Sequence, residues 1–253
     1  MGWMSPEEIE WDNGGSLGGV QFQAHLSGDV HSAGSIVFYI LSGGVHCFGS
    51  NGLRQQVNIV DGTPDFAALR EDVVAVDLVA RMVCLEPAAR LKIAQVLAHP
   101  FFWSDSHRIE KIRSWKTGWR RGRDLDRRLA QHQHNVQTIC RGERGWLSRL
   151  DAVVVTRLQA WTHSFDGSDP LDLVRAIRNV FEHWFDAQRD EVAEAERVQA
   201  VAALTGWSPG REMKRGHHSS DGHEMRVVAV VDYFLRARFP ELLLVFEFSK
   251  EVS

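Results

Sequence analysis

A chain of 253 residues, 44% hydrophobic and 25% charged, is long enough for one or two domains and able to bury a core. No apolar run approaches the roughly eighteen residues of a membrane span, and "MGWMSPEEIEWD" is too acidic for a signal peptide, so a soluble, cytoplasmic chain without direct membrane contact is expected. The three widely spaced cysteines (Cys47, Cys84, Cys140) form no C-x-x-C and no disulfide framework, which fits a reducing compartment. In chain order, the first region to about Trp103 reads as a loop followed by helices. "DVHSAGSIVFYILSGG" has an apolar helical centre stopped by Gly43 and Gly44. "REDVVAVDLVARMVCL" and "RLKIAQVLAHPFFW" are two further helical patterns, the second halted at Pro100. From Ser104 a second, all-helical region begins with a basic helix and continues through Gly145–Trp161. Next come "LVRAIRNVFEHWF" (Leu173 to Phe185) and an Ala/Glu-rich helix from about Gln188 to Leu204. A Gly/His/Ser-rich loop between Trp207 and Met225 and an apolar terminal run, "MRVVAVVDYFLRARFPELLLVF", complete the chain.

The net charge of −4 hides an uneven distribution. Arg108 to Arg128 holds nine Lys/Arg against Glu110, Asp124 and Asp126, a local excess of six that leaves −10 elsewhere. Such a segment attracts phosphate backbones or is an ordinary solvated helix face, and charge alone does not choose. Trp115 and Trp119, at i,i+4 in it, either stack on bases or form a packing stripe against the first region. "GHHSSDGHE" carries zinc-compatible residues but no structural zinc spacing, so an exposed insertion is expected and no metal site is assigned.

The "LVRAIRNVFEHWF" helix places Asn179 and His183 at i,i+4 on one stripe, with Arg175 a turn earlier and Arg178 beside them. Val174, Ile177, Phe181, Trp184 and Phe185 supply its apolar face. A helix of this kind seats by its greasy side and presents Arg, Asn and His from another.

Several stretches together resemble known families. "GWMSPEE" is similar to the Ala-Pro-Glu motif that closes a protein-kinase activation segment, with Ser5 for Ala, and "DVHSAG" to the D-x-x-S-x-G of the following helix. "LEPAARLKIAQVLAHPFF" is similar to the last helices of a kinase lobe, whose Arg pairs with the Glu of Ala-Pro-Glu. The resemblance therefore joins Arg90 to Glu7 and gives Asp29 the place of a catalytic-loop support. The Gly-rich loop, strand Lys, H-R-D and D-F-G motifs lie upstream of Ala-Pro-Glu in kinases. The expectation is a truncated C-lobe over residues 1–103, without kinase activity and with no cofactor; ATP and Mg would belong only to a full-length kinase parent.

"HPFFW", "GWLSRL" around Trp146, "LDLVRAIRNVFEH" and "YFLRARFPELL" resemble the kinase-extension nuclease (KEN) family. That family comprises the unfolded-protein-response sensor kinase/endoribonucleases and ribonuclease L. The resemblance implies an all-α fold, with residues 104–253 as a KEN ribonuclease domain. It also implies metal-independent RNA cleavage leaving 2′,3′-cyclic phosphate and 5′-hydroxyl ends.

In that reading His183 is the general acid, since His works near neutral pH. Arg178 braces the phosphate and Asn179 orients the site. Trp146 is a supporting residue. Phe165 stands where the sensor branch carries a Tyr held to be the base; Phe cannot move a proton, and His163 is the candidate replacement. The implied partners are single-stranded or stem-loop RNA, not DNA, and a second copy in a homodimer. A family parent would sit at the endoplasmic reticulum membrane with its nuclease facing the cytosol. The alternative is a non-catalytic pseudoenzyme or dimerisation module, or a fragment of a membrane-anchored Ser/Thr kinase-endoribonuclease.

Overall fold

A computed structural model describes residues 2–12, 14, 26–118, 123–161, 164–183 and 220–247. The expected helix at 188–204 lies outside them, as do Trp119, Trp184, Phe185, His217 and His218. Among the described residues the fold is all-α, without strands. The chain divides into two compact units, Met1–Phe102 and Trp103–Ser253.

The first unit opens where a loop was expected, with helix α1 (Pro6–Asp12). The start signal is local. Ser5 donates its backbone N–H and its hydroxyl to Glu8 Oε2 at 2.7 and 3.0 Å, and Pro6 occupies the first helical position, where no N–H is needed. Helix α2 (Leu26–Leu41) buries Val30, His31, Gly34, Ser35 and Phe38. It ends in Gly43 and Gly44 at φ 71° and 105°, the left-handed stop the two glycines signal. Helix α3 (Gly52–Val60) is capped by Asn51, whose side chain accepts from Arg54 N. Helix α4 (Val73–Met82) is capped in the same way by Asp72. It passes so close to α2 that a Cβ on Gly34 would stand 2.7 Å from Met82 Cβ, which explains the glycine.

The segment 90–103 is not one helix. Helix α5 (Ile93–Leu97) and a 3-10 turn, Pro100–Phe102, are separate pieces, and Arg90 and Lys92 before them are extended. The physical reason lies in the side chains. Arg90, 6% exposed, spends its guanidinium on tertiary bonds, while His99 accepts Phe101 N on Nδ1 and meets Asp77 on Nε2. Ile9, Phe38, Phe48, Ile59, Ala75, Val79 and Val83 form this unit's core.

The second unit begins with helices α6 (Asp105–Gly118), α7 (Arg123–Gln131) and α8 (Gln133–Ile139). After a 3-10 turn, Gly145–Arg149, come α9 (Ala152–Trp161) and α10 (Pro170–His183). Helix α11 (Ser220–Val230) runs on into a π turn, Val231–Arg236, and α12 (Leu242–Glu247) follows. The expected helix from 145 to 161 breaks at Leu150 because Asp151 is held from outside: its N–H donates to the Tyr233 hydroxyl, which in turn donates to Asp151 Oδ2. Arg238 stacks 3.6 Å over the Tyr233 ring, donates to Asp151 Oδ2 at 2.6 Å and to the Arg149 carbonyl at 3.0 Å. The R-F-P element is thus a clamp that pins the start of α9.

The loop expected up to Met225 is replaced by helix from Ser220 onward. Helix α11 starts at Ser220, and His223 lies edge-on to Phe181 one turn before buried Val227, so packing draws these polar residues into the helix. Ile109, Ile112, Trp115, Trp146, Leu158, Leu173, Ile177, Val180, Val230 and Phe234 fill the core. Trp115 is therefore a packing residue of its own unit.

Candidate active site

Helix α10 carries the polar cluster, and its start is built with care. Asp169 accepts Leu171 N at 2.9 Å, Pro170 takes the first helical position, and Asp166 N donates to Asp172 Oδ2 at 2.7 Å. Trp146, fully buried, donates its indole N–H to the Asp166 and Asp169 carbonyls at 3.0 and 3.1 Å. Gly145, at φ +56°, brings the chain so near that a Cβ there would stand 1.9 Å from Gly167 O. Trp146 therefore supports the site at a distance: it fixes the loop from which α10 departs. Leu173, Ala176, Ile177 and Val180, all fully buried, then set the rotation of the helix.

With the apolar face seated, the last turn presents Arg178, Asn179, Glu182 and His183 to an open cleft of about 570 Å³, closed on the other side by Arg113 and Ser114 of α6. Arg178 Nη2 donates to Asn179 Oδ1 at 3.3 Å. Arg113 donates Nε–H to Glu182 Oε1 at 2.8 Å and lies 5.5 Å from the Phe181 ring centroid. His183 is exposed and Arg178 and Asn179 are half-buried. Two guanidiniums, one carboxylate, one carboxamide and one imidazole thus line one opening. Such a set has the chemistry to hold a phosphodiester, with an imidazole and a carboxylate beside it for proton transfer.

The structure brings Arg178, Asn179 and His183 into one cleft but keeps Phe165 out of its lining. Phe165 meets Trp146 edge-on at 5.9 Å, and Arg175 lies 4.7 Å above its ring. Arg175 also donates to the Ser164 carbonyl and pairs with Asp172, so it braces the loop. His163 lies outside the described residues. Sequence reasoning did not single out Arg113, Ser114 or Glu182 for the site. Glu182 sat in plain view between Asn179 and His183, but Arg113 is 69 residues from its partner, and only the packing of α6 on α10 joins them.

In the first unit, Arg90 binds both oxygens of Glu7, at 2.6 and 2.8 Å, and donates to the carbonyls of Ser27, Cys84 and Leu85. Burial raises the Glu7 pKa, but the hydrogen bond and charge of Arg90 outweigh it and hold the carboxyl below its usual range. Asp29 lies exposed in the first turn of α2. A cleft of similar volume in this unit is lined by Trp3, Tyr39, His46 and Asp65, with no Lys or Arg among its described residues. A phosphate has no cation there.

Residues 104–202 match the family model of ribonuclease 2-5A. The chain is 32% identical to the serine/threonine-protein kinase/endoribonuclease IRE2 of Homo sapiens over 187 residues, 72% of this chain and 19% of that protein. It is 30% identical to the sensor for unfolded proteins in the ER ire1 of Schizosaccharomyces pombe over 198 residues, 73% of this chain and 18% of that protein. It is 40% identical to the probable serine/threonine-protein kinase irlA of Dictyostelium discoideum over 82 residues, 32% of this chain and 6% of that protein. The chain thus spans about a fifth or less of the curated relatives it matches.

Proposed function

We propose, from the premise that the second unit of this chain belongs to the ribonuclease 2-5A (kinase-extension nuclease) family, that it is an RNA endonuclease acting by internal transphosphorylation. The observation that carries the reading is the cleft itself: Arg178, Asn179 and His183 line one opening on α10, beside Arg113 of a second helix. In this reaction the 2′-oxygen of the substrate attacks the adjacent phosphorus, O5′ leaves, and the products are a 2′,3′-cyclic phosphate and a 5′-hydroxyl. The nucleophile belongs to the RNA, so the protein supplies proton transfer and charge stabilisation, and no metal is required. Arg178 grips the non-bridging oxygens as charge builds on them. His183 as imidazolium donates the proton that O5′ needs to depart. Asn179, bonded to Arg178, fixes that guanidinium and offers its amide to the ribose-phosphate.

The substrate class is single-stranded or stem-loop RNA, whose unpaired nucleotides can enter an open cleft. The working species is a homodimer. The first unit is read as part of a kinase C-lobe, tied together by Glu7 and Arg90. The test is cleavage of a stem-loop RNA in EDTA, with a matched RNA carrying a single 2′-deoxyribose at the scissile nucleotide. Cleavage of the first and resistance of the second are expected. Loss of cleavage in EDTA would overturn the metal-independent mechanism. Self-association with no cleavage under any condition would assign the unit to a non-catalytic dimerisation module instead.

A further inference from the structure

We propose that Glu182 is the general base of the cleft, accepting the proton of the ribose 2′-hydroxyl while His183 protonates the leaving oxygen; this rests on reading the second unit as an RNA transphosphorylase. Transphosphorylation moves two protons. One leaves the 2′-hydroxyl as O2′ bonds to phosphorus, and another must reach O5′ as the P–O5′ bond breaks. Of the six described residues lining the cleft, His183 and Glu182 alone carry an imidazole or a carboxylate able to give up or accept a proton; arginine cannot be deprotonated, and serine and asparagine are no bases. With His183 charged and donating, the acceptor is Glu182. Phe165 offers no proton acceptor and packs on Trp146 and Arg175 away from that lining.

The geometry suits a carboxylate held ready. Arg113 Nε donates to Oε1 at 2.8 Å, and Arg113 is itself seated over Phe181, so the carboxylate is fixed through one oxygen at the wall of the cleft. Glu182 is 37% exposed at its side chain, open to a ribose entering from solvent. The charged and titratable groups around it are Arg113 from α6, Arg178 and His183 from its own helix, and His223 of α11, which meets Phe181. The step balances: O2′ loses its proton to the Glu182 carboxylate and bonds to phosphorus, P–O5′ breaks, and O5′ takes the proton of the His183 imidazolium. No oxidant, reductant or metal enters.

The test pairs Glu182→Gln, which keeps an oxygen to accept from Arg113, with His183→Ala and Arg113→Met on two RNAs. One has an ordinary linkage. The other has sulfur in place of O5′ at the scissile position, so that a thiolate leaves without protonation. Binding of the 2′-deoxy RNA reports that each variant is folded. Glu182→Gln is expected to lower kcat about 10²–10³-fold, to leave KM within a few fold, and to abolish the acidic limb of the pH–rate profile. Glu182→Asp should recover part of the rate. The thio linkage should rescue His183→Ala and not Glu182→Gln. Arg113→Met should raise KM and retain the acidic limb that Glu182→Gln loses, whereas a merely structural ion pair would give the two variants the same phenotype. Glu182→Gln cleaving within threefold of wild type, or being rescued by sulfur as His183→Ala is, overturns the assignment alone. If the wild-type protein leaves both RNAs intact, the nuclease reading falls and the assignment with it.

Discussion

Arg178 and His31 show two opposite uses of a charged or chargeable side chain. Arg178 presents its fork to an open cleft, where two parallel N–H donors match two phosphate oxygens. Arg178→Ala should therefore lower kcat about 10²–10³-fold, the usual loss for one transition-state donor. Arg178→Lys should recover only part of it, because a point charge does not replace a fork; single-turnover cleavage checks both. His31 is the reverse case. It is 1% exposed, stacks on Phe48 at 5.5 Å, and neither ring nitrogen has a hydrogen-bond partner. Burial, reinforced by the charge of Arg90, lowers its pKa to about 4 from 6.5. Between those values the unfolded chain binds the proton and the folded chain does not. The stability contribution is thus complete above pH 6.5 and drains away as pH falls toward 4. At about 1.4 kcal/mol per unit, roughly 3 kcal/mol is at stake. Urea denaturation of the first unit should give a lower midpoint at pH 5 than at pH 7, and His31→Phe should flatten that difference. Equal pH dependence in the variant would contradict the assignment.

At the scale of elements, the 3.6-residue pattern made the long helices legible and hid the breaks between them. Helix α10 was visible because Val174, Ile177 and Phe181 repeat on one face. The Gly43–Gly44 stop of α2 was visible because left-handed glycines end helices. The interruption at Leu150 was not, since it depends on Tyr233 and Arg238 more than 80 residues away. Helix α1 was missed although Ser5-Pro6-Glu7-Glu8 is a start signal in its own right. The turn that launches α10 is the element most exposed to mutation. Trp146→Phe removes the indole N–H donated to the Asp166 and Asp169 carbonyls, which keep Asp169 N and Asp172 N as donors, and should cost about 0.5–1.5 kcal/mol. Gly145→Ala drives a Cβ onto the Gly167 carbonyl and should cost about 2–3 kcal/mol. Both losses appear as a lower Tm. Both should also lower the cleavage rate more than RNA affinity, because α10 carries His183, the proposed acid, while Arg113 sits on α6. Unchanged kcat in a destabilised Trp146→Phe protein would show that the loop does not set the site.

For the whole molecule, two cores built from separate stretches of chain explain why the motifs fell into two groups along the sequence. The order of motifs pointed to the pairing of Glu7 with Arg90, and the two residues lie in bidentate contact. The pairing of Arg113 with Glu182 had no such motif, and a basic run of nine Lys/Arg gave no hint of which one would reach the cleft. An acidic remainder of −10 around that run makes RNA binding a local electrostatic event, sensitive to salt. The slope of log K against log[salt] should fall by about 0.7 for each single-strand phosphate contact removed. Arg113→Ala should show one such step, and Arg70→Ala in the other unit none. The central claim is that one cleft on α10 cleaves RNA through His183. Its most direct test is to incubate a stem-loop RNA with wild type and His183→Ala in EDTA and to read the new 3′ ends. The account predicts 2′,3′-cyclic phosphate ends from the wild type and none above background from the variant. Equal cleavage by both proteins, or 3′-hydroxyl ends from the wild type, would contradict it.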